Sequence, residues 1–131
     1  MLTGSCFCKK ITYESRGKIL HFLNCHCPDC RKLSATTFLA FLIVEAEGFK
    51  ILSGEDNLAV FESSPGKLRR FCSVCGTHIF RRSGDVIYLR AGTLDGDPGI
   101  RPEAEIWTNY KAPWYDIPEG AACFSEGFTK K

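Results

Sequence analysis

The amino-acid sequence predicts a mainly β protein built as a single domain over residues 1–131. Short apolar segments follow one another with turn residues between them, and no stretch keeps the period of a long amphipathic helix. The cysteines are grouped in clusters between the predicted strands, which suggests small sheets held by metal–cysteine knots. A chain of 131 residues without a linker, repeat or low-complexity segment has the usual length of one domain.

The amino-terminal half is predicted to contain three strands. Residues 10–14 alternate in polarity, as a half-buried strand does, and residues 18–24 form a second strand that leads into a cysteine cluster. A proline and three cysteines within residues 25–30 predict a tight irregular turn around a metal, followed by one helical turn over 31–34. The apolar run at 37–44 has the composition and length of a central strand buried on both faces.

The carboxyl-terminal half is predicted to contain six more short strands. They cover residues 49–52, 58–62, 68–71, 77–82, 86–90 and 105–110. The sequence Ser83-Gly84-Asp85 between two of these strands is typical of a hairpin loop. Two later prolines predict an irregular tail.

Composition and charge exclude some classes of partner. Seventeen basic and fifteen acidic residues give a net charge of +2, which does not support an obligatory nucleic acid or membrane partner. The first residues lack a signal-peptide pattern, and the longest apolar run is too short to cross a bilayer. We therefore expect a cytoplasmic protein, in which eight cysteines serve metal binding rather than disulfides. The disulfide alternative requires secretion.

Two separated cysteine pairs predict a closed structural metal site. Cys72 and Cys75 form a C-x-x-C knuckle followed by Gly76, which suits the left-handed residue of such a turn. A knuckle supplies two ligands, and Cys6 and Cys8 are the natural second pair, because alternate residues of a strand share a face. A redox-active C-x-x-C is the weaker alternative, since no βαβ pattern surrounds it.

The remaining trio, Cys25, Cys27 and Cys30, has one ligand fewer than a closed zinc site. If Cys123 completes it, both sites are closed and the protein is a scaffold. If it does not, water or a substrate thiol takes the fourth position. A trio without metal is the third possibility. His26 lies between two ligating cysteines and is expected to point away from the ion.

A three-thiolate zinc site favours the binding of another thiolate over the generation of hydroxide. Its chemistry is therefore thiol addition to an electrophile, or the reverse carbon–sulfur cleavage. Basic residues flank every cluster: Lys9 and Lys10, Arg31 and Lys32, Arg69 and Arg70. They are expected chiefly to offset thiolate charge, and the alternative is that Arg31 or Lys32 also binds the carboxylates of an acidic thiol such as glutathione. Trp114 is a candidate wall of the pocket. No general acid is evident, although His26, Asp29 and Tyr110 are candidates.

The three cysteine clusters and their neighbours resemble the glutathione-dependent formaldehyde-activating enzyme family, also called the GFA/CENP-V domain family. The matching stretches are residues 4–8, 11–13, 25–32, 72–77 and 107–117. The resemblance implies an all-β "β-tent" of small antiparallel sheets with two zinc ions per chain. One is a structural zinc at Cys6, Cys8, Cys72 and Cys75, and the other is a catalytic zinc at Cys25, Cys27 and Cys30. The sequence departs from the family at Lys9 and Ala35, where glycine is usual.

The activity that the resemblance implies is that of a carbon–sulfur lyase working in the synthetic direction. It joins glutathione and formaldehyde into S-(hydroxymethyl)glutathione. The alternative is a non-catalytic zinc-stabilised interaction module, as the centromere-protein branch suggests, with both zinc sites structural. Methionine sulfoxide reduction is a third hypothesis, but Cys123 lacks the expected arginine-containing context and is predicted to be a small core residue.

Overall fold

A computed structural model of the chain describes residues 1–128 as ten strands and one α-helix. The helix α1 spans Pro28–Ser34. The strands are β1 (Leu2–Ser5), β2 (Thr12–Ser15), β3 (Ile19–Cys25), β4 (Leu39–Glu45), β5 (Phe49–Ser53), β6 (Leu58–Ser64), β7 (Lys67–Cys72), β8 (His78–Ser83), β9 (Val86–Arg90) and β10 (Ala104–Ile106). The mainly β fold predicted from the sequence is confirmed. No helix among these residues is long and apolar enough to span a membrane.

The strands form two sheets. The smaller sheet has the order β1-β2-β5, and the larger has the order β10-β3-β4-β9-β8-β7-β6. Neighbouring strands are antiparallel except β10 and β3, which run parallel. The predicted hairpin at Ser83-Gly84-Asp85 joins β8 to β9. Strand β4 is an interior strand of the larger sheet, the third of seven, and is flanked by β3 and β9.

Buried side chains cover both faces of β4. Leu42 and Val44 belong to an apolar core that includes Ile11 and Tyr13 from the loop before β2 and from β2 itself. On the opposite face Phe41 belongs to a second core, which also contains two cysteines of the middle cluster. The smaller sheet therefore packs against one face of the larger sheet, and the middle cysteine cluster lies on the other face.

Strand β1 was not predicted from the sequence. Its four residues pair with β2, and a Cβ atom on Gly4 would lie 2.2 Å from the Tyr13 hydroxyl. The absence of a side chain at Gly4 lets Tyr13 reach Thr93, whose hydroxyl is 2.7 Å away. A short strand containing glycine carries too little alternation to be recognised.

Two local predictions need correction. The strand expected over residues 105–110 ends at Ile106, because Trp107 has a left-handed backbone and begins a 3₁₀ turn over Thr108–Tyr110. The irregular turn expected over residues 25–30 is the end of β3 followed by the start of α1. The proline occupies the first helical turn, where its missing N–H costs nothing, and Cys27 Sγ caps the helix by accepting from Cys30 N–H at 3.3 Å.

The two departures from the family pattern both lie at left-handed backbone positions. Lys9 has a φ of 64° and Ala35 a φ of 50°. Lys9 N–H donates to the Cys6 carbonyl, so Cys6 and Cys8 lie in a turn after β1 rather than in the strand expected for them. Ala35 ends α1 and donates its N–H to carbonyls of the last helical turn. Glycine is favoured at such positions because it has no Cβ.

We predict that Ala35→Gly stabilises the protein. Left-handed backbone costs a residue with a Cβ about 1 kcal/mol, so relief of this strain is expected to raise the free energy of unfolding by roughly 0.5–1 kcal/mol. Ser34→Gly, one residue earlier and still helical, is the control and is expected to lower it by a similar amount. Denaturant unfolding of the metal-loaded proteins measures both, and a loss of stability in both variants would contradict the strain assigned to Ala35.

Candidate metal centre

Four cysteines form a closed cluster between the turn after β1 and the turn after β7. The sulfur atoms of Cys6, Cys8, Cys72 and Cys75 all lie within 4.8 Å of one another. Cys8 Sγ is 3.5 Å from Cys6 Sγ and 3.8 Å from Cys72 Sγ. Tetrahedral zinc with Zn–S bonds of about 2.3 Å requires sulfur–sulfur edges of about 3.8 Å. The cluster therefore fits a zinc ion.

Hydrogen-bond donors surround the sulfurs of this cluster. Ile11 N–H donates to Cys6 Sγ at 3.4 Å, and Val74 N–H donates to Cys72 Sγ at 3.4 Å. The Thr77 hydroxyl is 3.2 Å from Cys75 Sγ, and this contact, with further backbone hydrogen bonds, lowers the pKa of the Cys75 thiol to about 5. Donors of this kind favour thiolates, which are the form that binds metal.

The second cluster has three sulfur atoms. Cys25 is the last residue of β3, Cys27 caps α1, and Cys30 lies in its first turn. Their sulfurs lie within 4.8 Å of one another, and no fourth His, Cys, Asp or Glu of residues 1–128 joins the group. The pKa of the Cys27 thiol is lowered by a hydrogen bond from Cys25 and, as the next cause in size, by one from Cys30. This donor set fits a thiophilic ion such as zinc with one position left to an exogenous ligand.

Cys123 lies outside both clusters. Its thiol is exposed and lies 3.5 Å from the Ala121 carbonyl, and its backbone forms an isolated bridge with Glu105. The sequence alternative in which Cys123 completes the trio therefore finds no support in the geometry. The prediction of a small core residue at Cys123 is wrong, because the tail crosses the edge of the sheet instead of entering the core.

His26 points away from the trio, as predicted. Its side chain is fully buried and its Nε2–H donates to Glu105 Oε1 at 2.8 Å. Asn24 donates to the other oxygen of the same carboxylate at 2.7 Å. The backbone of Glu105 exchanges hydrogen bonds with Ala122 and Phe124 of the tail, both at 2.8 Å. Glu105 thus connects the residues beside Cys25 to the tail.

A cavity of about 380 Å³ adjoins the three-cysteine cluster. Cationic and aromatic side chains dominate its walls, and the tail closes one side with Gly127 and Phe128. The cationic residues are Lys67, Arg69, Arg81 and Arg90. The aromatic residues are Phe41, Tyr88, Trp107 and Phe128.

Strand pairing explains why residues distant in the sequence meet in this cavity. A row of paired residues crosses five neighbouring strands of the larger sheet: His21, Ile43, Tyr88, Arg81 and Arg69. Directly paired residues of antiparallel strands share a face, so the whole row lines one wall. The cysteines of the trio lie at the end of β3, on the same side of the sheet.

The cavity is positively charged. Arg69 directly opposes Arg81, and like charges in that position destabilise a sheet unless an anion lies between them. The Arg81 guanidinium lies 4.2 Å from the centroid of the Tyr88 ring. No carboxylate of residues 1–128 forms an ion pair with any cationic residue of this wall. An anionic ligand therefore suits the cavity.

Other candidate residues named from the sequence do not line the cavity. The Arg31 guanidinium donates to the Tyr110 carbonyl at 2.7 Å, and neither Arg31 nor Lys32 lines the cavity beside the trio. Trp114 is 72 % exposed, and Trp107 lines the cavity in its place. Of the proposed general acids, His26 is sequestered, and neither Asp29 nor Tyr110 lines the cavity.

Together these features define a small mainly β protein with two cysteine clusters that can hold metal ions, one closed and one facing a basic cavity. The chain belongs to the family of glutathione-dependent formaldehyde-activating enzymes, whose model matches residues 1–110. The resemblance read from the cysteine clusters is thereby confirmed.

Individual relatives agree with this family. A Schizosaccharomyces pombe protein named as an uncharacterized lyase is 25 % identical over 125 residues, which cover 93 % of this chain and 89 % of the relative. A Colletotrichum graminicola protein named for glutathione-dependent formaldehyde activation is 28 % identical over 82 residues. That match covers 61 % of this chain and only 43 % of the relative, so the chain spans less than half of that protein.

A solved structure shares the fold. The crystal structure of a Rhodobacter sphaeroides protein superposes with a TM-score of 0.61 at 18 % identity. The superposition covers 74 % of this chain and 92 % of the other. At this level of identity the similarity concerns the fold alone.

We predict that the two clusters respond differently to loss of one cysteine. Cys72→Ser is expected to unfold the chain, because structural zinc sites contribute on the order of 10–16 kcal/mol of apparent binding free energy in zinc-finger peptides. Cys25→Ser is expected to lose one metal ion and to keep the circular-dichroism spectrum of the folded β protein. Metal analysis and circular dichroism measure both, with Cys123→Ser as the control. Equal unfolding of the two variants would make the middle cluster structural.

Proposed function

We propose that this chain is a zinc-dependent enzyme of the carbon–sulfur lyase type. It adds a small acidic thiol, glutathione or a close analogue, to formaldehyde or a related small electrophile. The observation that carries the proposal is the position of the three-sulfur cluster, which lacks a fourth ligand among residues 1–128 and lies at a positively charged cavity. Cys25, Cys27 and Cys30 form the catalytic site, and the closed cluster holds the structural zinc.

The chemistry expected of the site is that of an activated thiol. Cys25, Cys27 and Cys30 would hold the zinc ion, which would lower the pKa of a further thiol and so favour its thiolate at neutral pH. In the proposed reaction the thiol sulfur bonds to the carbonyl carbon, and the proton lost by the thiol is returned to the carbonyl oxygen. Thiol and formaldehyde thus give a hydroxymethyl thioether without any other reactant. The free cysteines suit a reducing compartment such as the cytoplasm.

Lys67 and Arg81 are the residues proposed to bind the thiol through its carboxylates. Lys67 is exposed and Arg81 half-buried, so both are accessible at the outer part of the wall. The face of Tyr88 fixes the Arg81 guanidinium, which can then form a bidentate pair with a carboxylate. A thiol whose carboxylates are distant from its sulfur can place the sulfur at the three-cysteine cluster and its carboxylates at Lys67 and Arg81.

The apolar wall is proposed to exclude water and position the electrophile. Trp107 and Phe128 lie on the side of the tail, where Trp107 N–H donates to the Glu126 carbonyl at 2.8 Å. The ring of Phe128 packs against those of Phe124 and His21. Since none of the candidate general acids reaches this cavity, the catalytic contribution of the chain is chiefly to bring the two reactants together.

We predict that the protein accelerates exchange between free formaldehyde and its glutathione adduct. Two-dimensional exchange NMR measures this rate despite the rapid uncatalysed reaction. Cys27→Ser is the most informative variant, because serine preserves the cap of α1 while removing one sulfur. It is expected to abolish the acceleration, and Cys123→Ser is expected to retain it. Equal acceleration by Cys27→Ser and wild type would reject the proposed catalytic site.

We predict that the charge of Arg81 determines how tightly the protein binds a thiol that carries carboxylates. Arg81→Met keeps an apolar stem against Tyr88 and removes the charge. The half-saturating concentration of glutathione is expected to rise roughly 10-fold or more, as for loss of a charge-assisted hydrogen bond. The half-saturating concentration of 2-mercaptoethanol, which has no carboxylate, is expected to stay constant.

Arg82→Met is the matched control for this measurement, because Arg82 is the next residue of β8 and is exposed on the opposite face. A rise of equal size for both thiols in Arg81→Met would show that Arg81 shapes the cavity rather than binding the carboxylate.

A further inference from the structure

Arg69 and Arg90 differ from the other cations of the cavity because they are buried. Each is 5 % exposed. Arg69 Nε donates to Ser63 Oγ at 3.0 Å, and Arg90 Nη1 donates to the Tyr88 carbonyl at 3.2 Å. Arg90 Nε has no hydrogen-bond partner. The hydrogen bonds of both guanidinium groups to residues 1–128 are thus to neutral groups, and both arginines line the cavity.

A buried cation without a negative partner is costly, by several kcal/mol per ion. No carboxylate of residues 1–128 pairs with Arg69 or Arg90. The acidic groups that share their cavity are the thiols of the three-cysteine cluster. The pKa of Arg90 is lowered to about 10, chiefly by burial and next by the charge of Arg69. The charges of Cys30 and Cys25 oppose this shift. The two arginines and the trio are thus close enough to interact electrostatically.

The charges of the metal-loaded three-cysteine cluster and of the two buried arginines can be counted. Three thiolates and one divalent ion leave a net charge of −1, and an anionic fourth ligand makes it −2. Two buried arginines balance the second state. With a neutral fourth ligand they leave an excess positive charge in a buried place.

We infer that Arg69 and Arg90 are specificity-determining residues that select a negatively charged fourth ligand at the three-cysteine cluster. The inference rests on the proposed function, because it requires a metal with an open position at this cluster. It deepens that function by separating two tasks. Lys67 and Arg81 recognise the distant carboxylates of the substrate, whereas Arg69 and Arg90 favour the anionic state of the reacting sulfur.

Ligand binding to the cobalt(II)-loaded protein tests this inference without measuring activity. The visible spectrum of cobalt reports a new ligand at the open cluster, whereas the closed cluster contributes a constant background. The two probes are 2-mercaptoethanol, which binds as a thiolate and has no carboxylate, and imidazole, which binds as a neutral ligand. Titrations at one fixed pH compare wild type with Arg69→Gln, Arg90→Gln and Arg90→Lys.

The glutamine variants are expected to weaken 2-mercaptoethanol binding roughly 10-fold or more, as for removal of a nearby charge in a medium of intermediate dielectric. Imidazole affinity is expected to change little or to rise. Arg90→Lys is expected to restore most of the thiolate affinity, and Arg82→Gln is expected to behave as wild type. Where a glutamine variant does not fold, the methionine variant, which keeps the apolar stem, replaces it.

Three results would overturn the inference. An equal loss of affinity for both ligands would assign the arginines a structural role. Unchanged affinity for both would show that the arginines do not select the charge of the fourth ligand. A glutamine-like loss in Arg90→Lys would show that the shape of the guanidinium matters rather than its charge. Failure of wild type to bind either ligand would instead reject the open cluster, and with it the proposed function.

Discussion

The close approach of sulfur atoms in two groups is the constraint on which the rest of the structure depends. Within each group the sulfurs lie no more than 4.8 Å apart. Thiolates at this separation repel one another, and a shared cation removes the repulsion. At the closed group the chain segments that meet are distant in sequence, so the contacts that bring these sulfurs together also fix the arrangement of the strands. The closed group ties the loop after β1 to the end of β7.

The two groups sit in different surroundings and are suited to different tasks. The closed group is enclosed by backbone donors and by residues of the first apolar core. The three cysteines of the trio lie at the end of β3 and the start of α1, and all three line the basic cavity. A purely structural role for both groups, as in an interaction module, would leave the unpaired cations of the cavity without an explanation. This contrast is the physical basis for preferring an enzyme.

The cysteine clusters could be predicted from the sequence, whereas the cationic wall could not. The spacing of the cysteines indicates the trio, because ligands two or three residues apart can face one ion whatever the rest of the fold does. The joining of Cys6 and Cys8 to Cys72 and Cys75 follows from the need of a knuckle for two further ligands. The positions of nine of the ten strands along the chain were also recognisable from turn residues and apolar runs. The cationic wall was missed because Arg69, Arg81 and Arg90 lie on three different strands, and only their register brings them to Cys25. Of these arginines only Arg69 lies near a cysteine cluster in the sequence, that of Cys72 and Cys75, so its relation to Cys25 is not visible there.

Errors of prediction also have identifiable physical causes. A proline between cysteines predicts a break in regular structure, yet Pro28 lies at the start of α1, where proline is favourable. Trp107 ended a strand early because its backbone is left-handed, which a sequence pattern does not reveal for a tryptophan.

Glu105 gives the molecule an unusual internal dependence. Its carboxylate holds Asn24 and His26 on either side of Cys25, and its backbone holds Ala122 and Phe124. A substitution in the tail can therefore shift the surroundings of the trio through a single side chain. Natural variants thus have a route to altered chemistry in which every cysteine is retained.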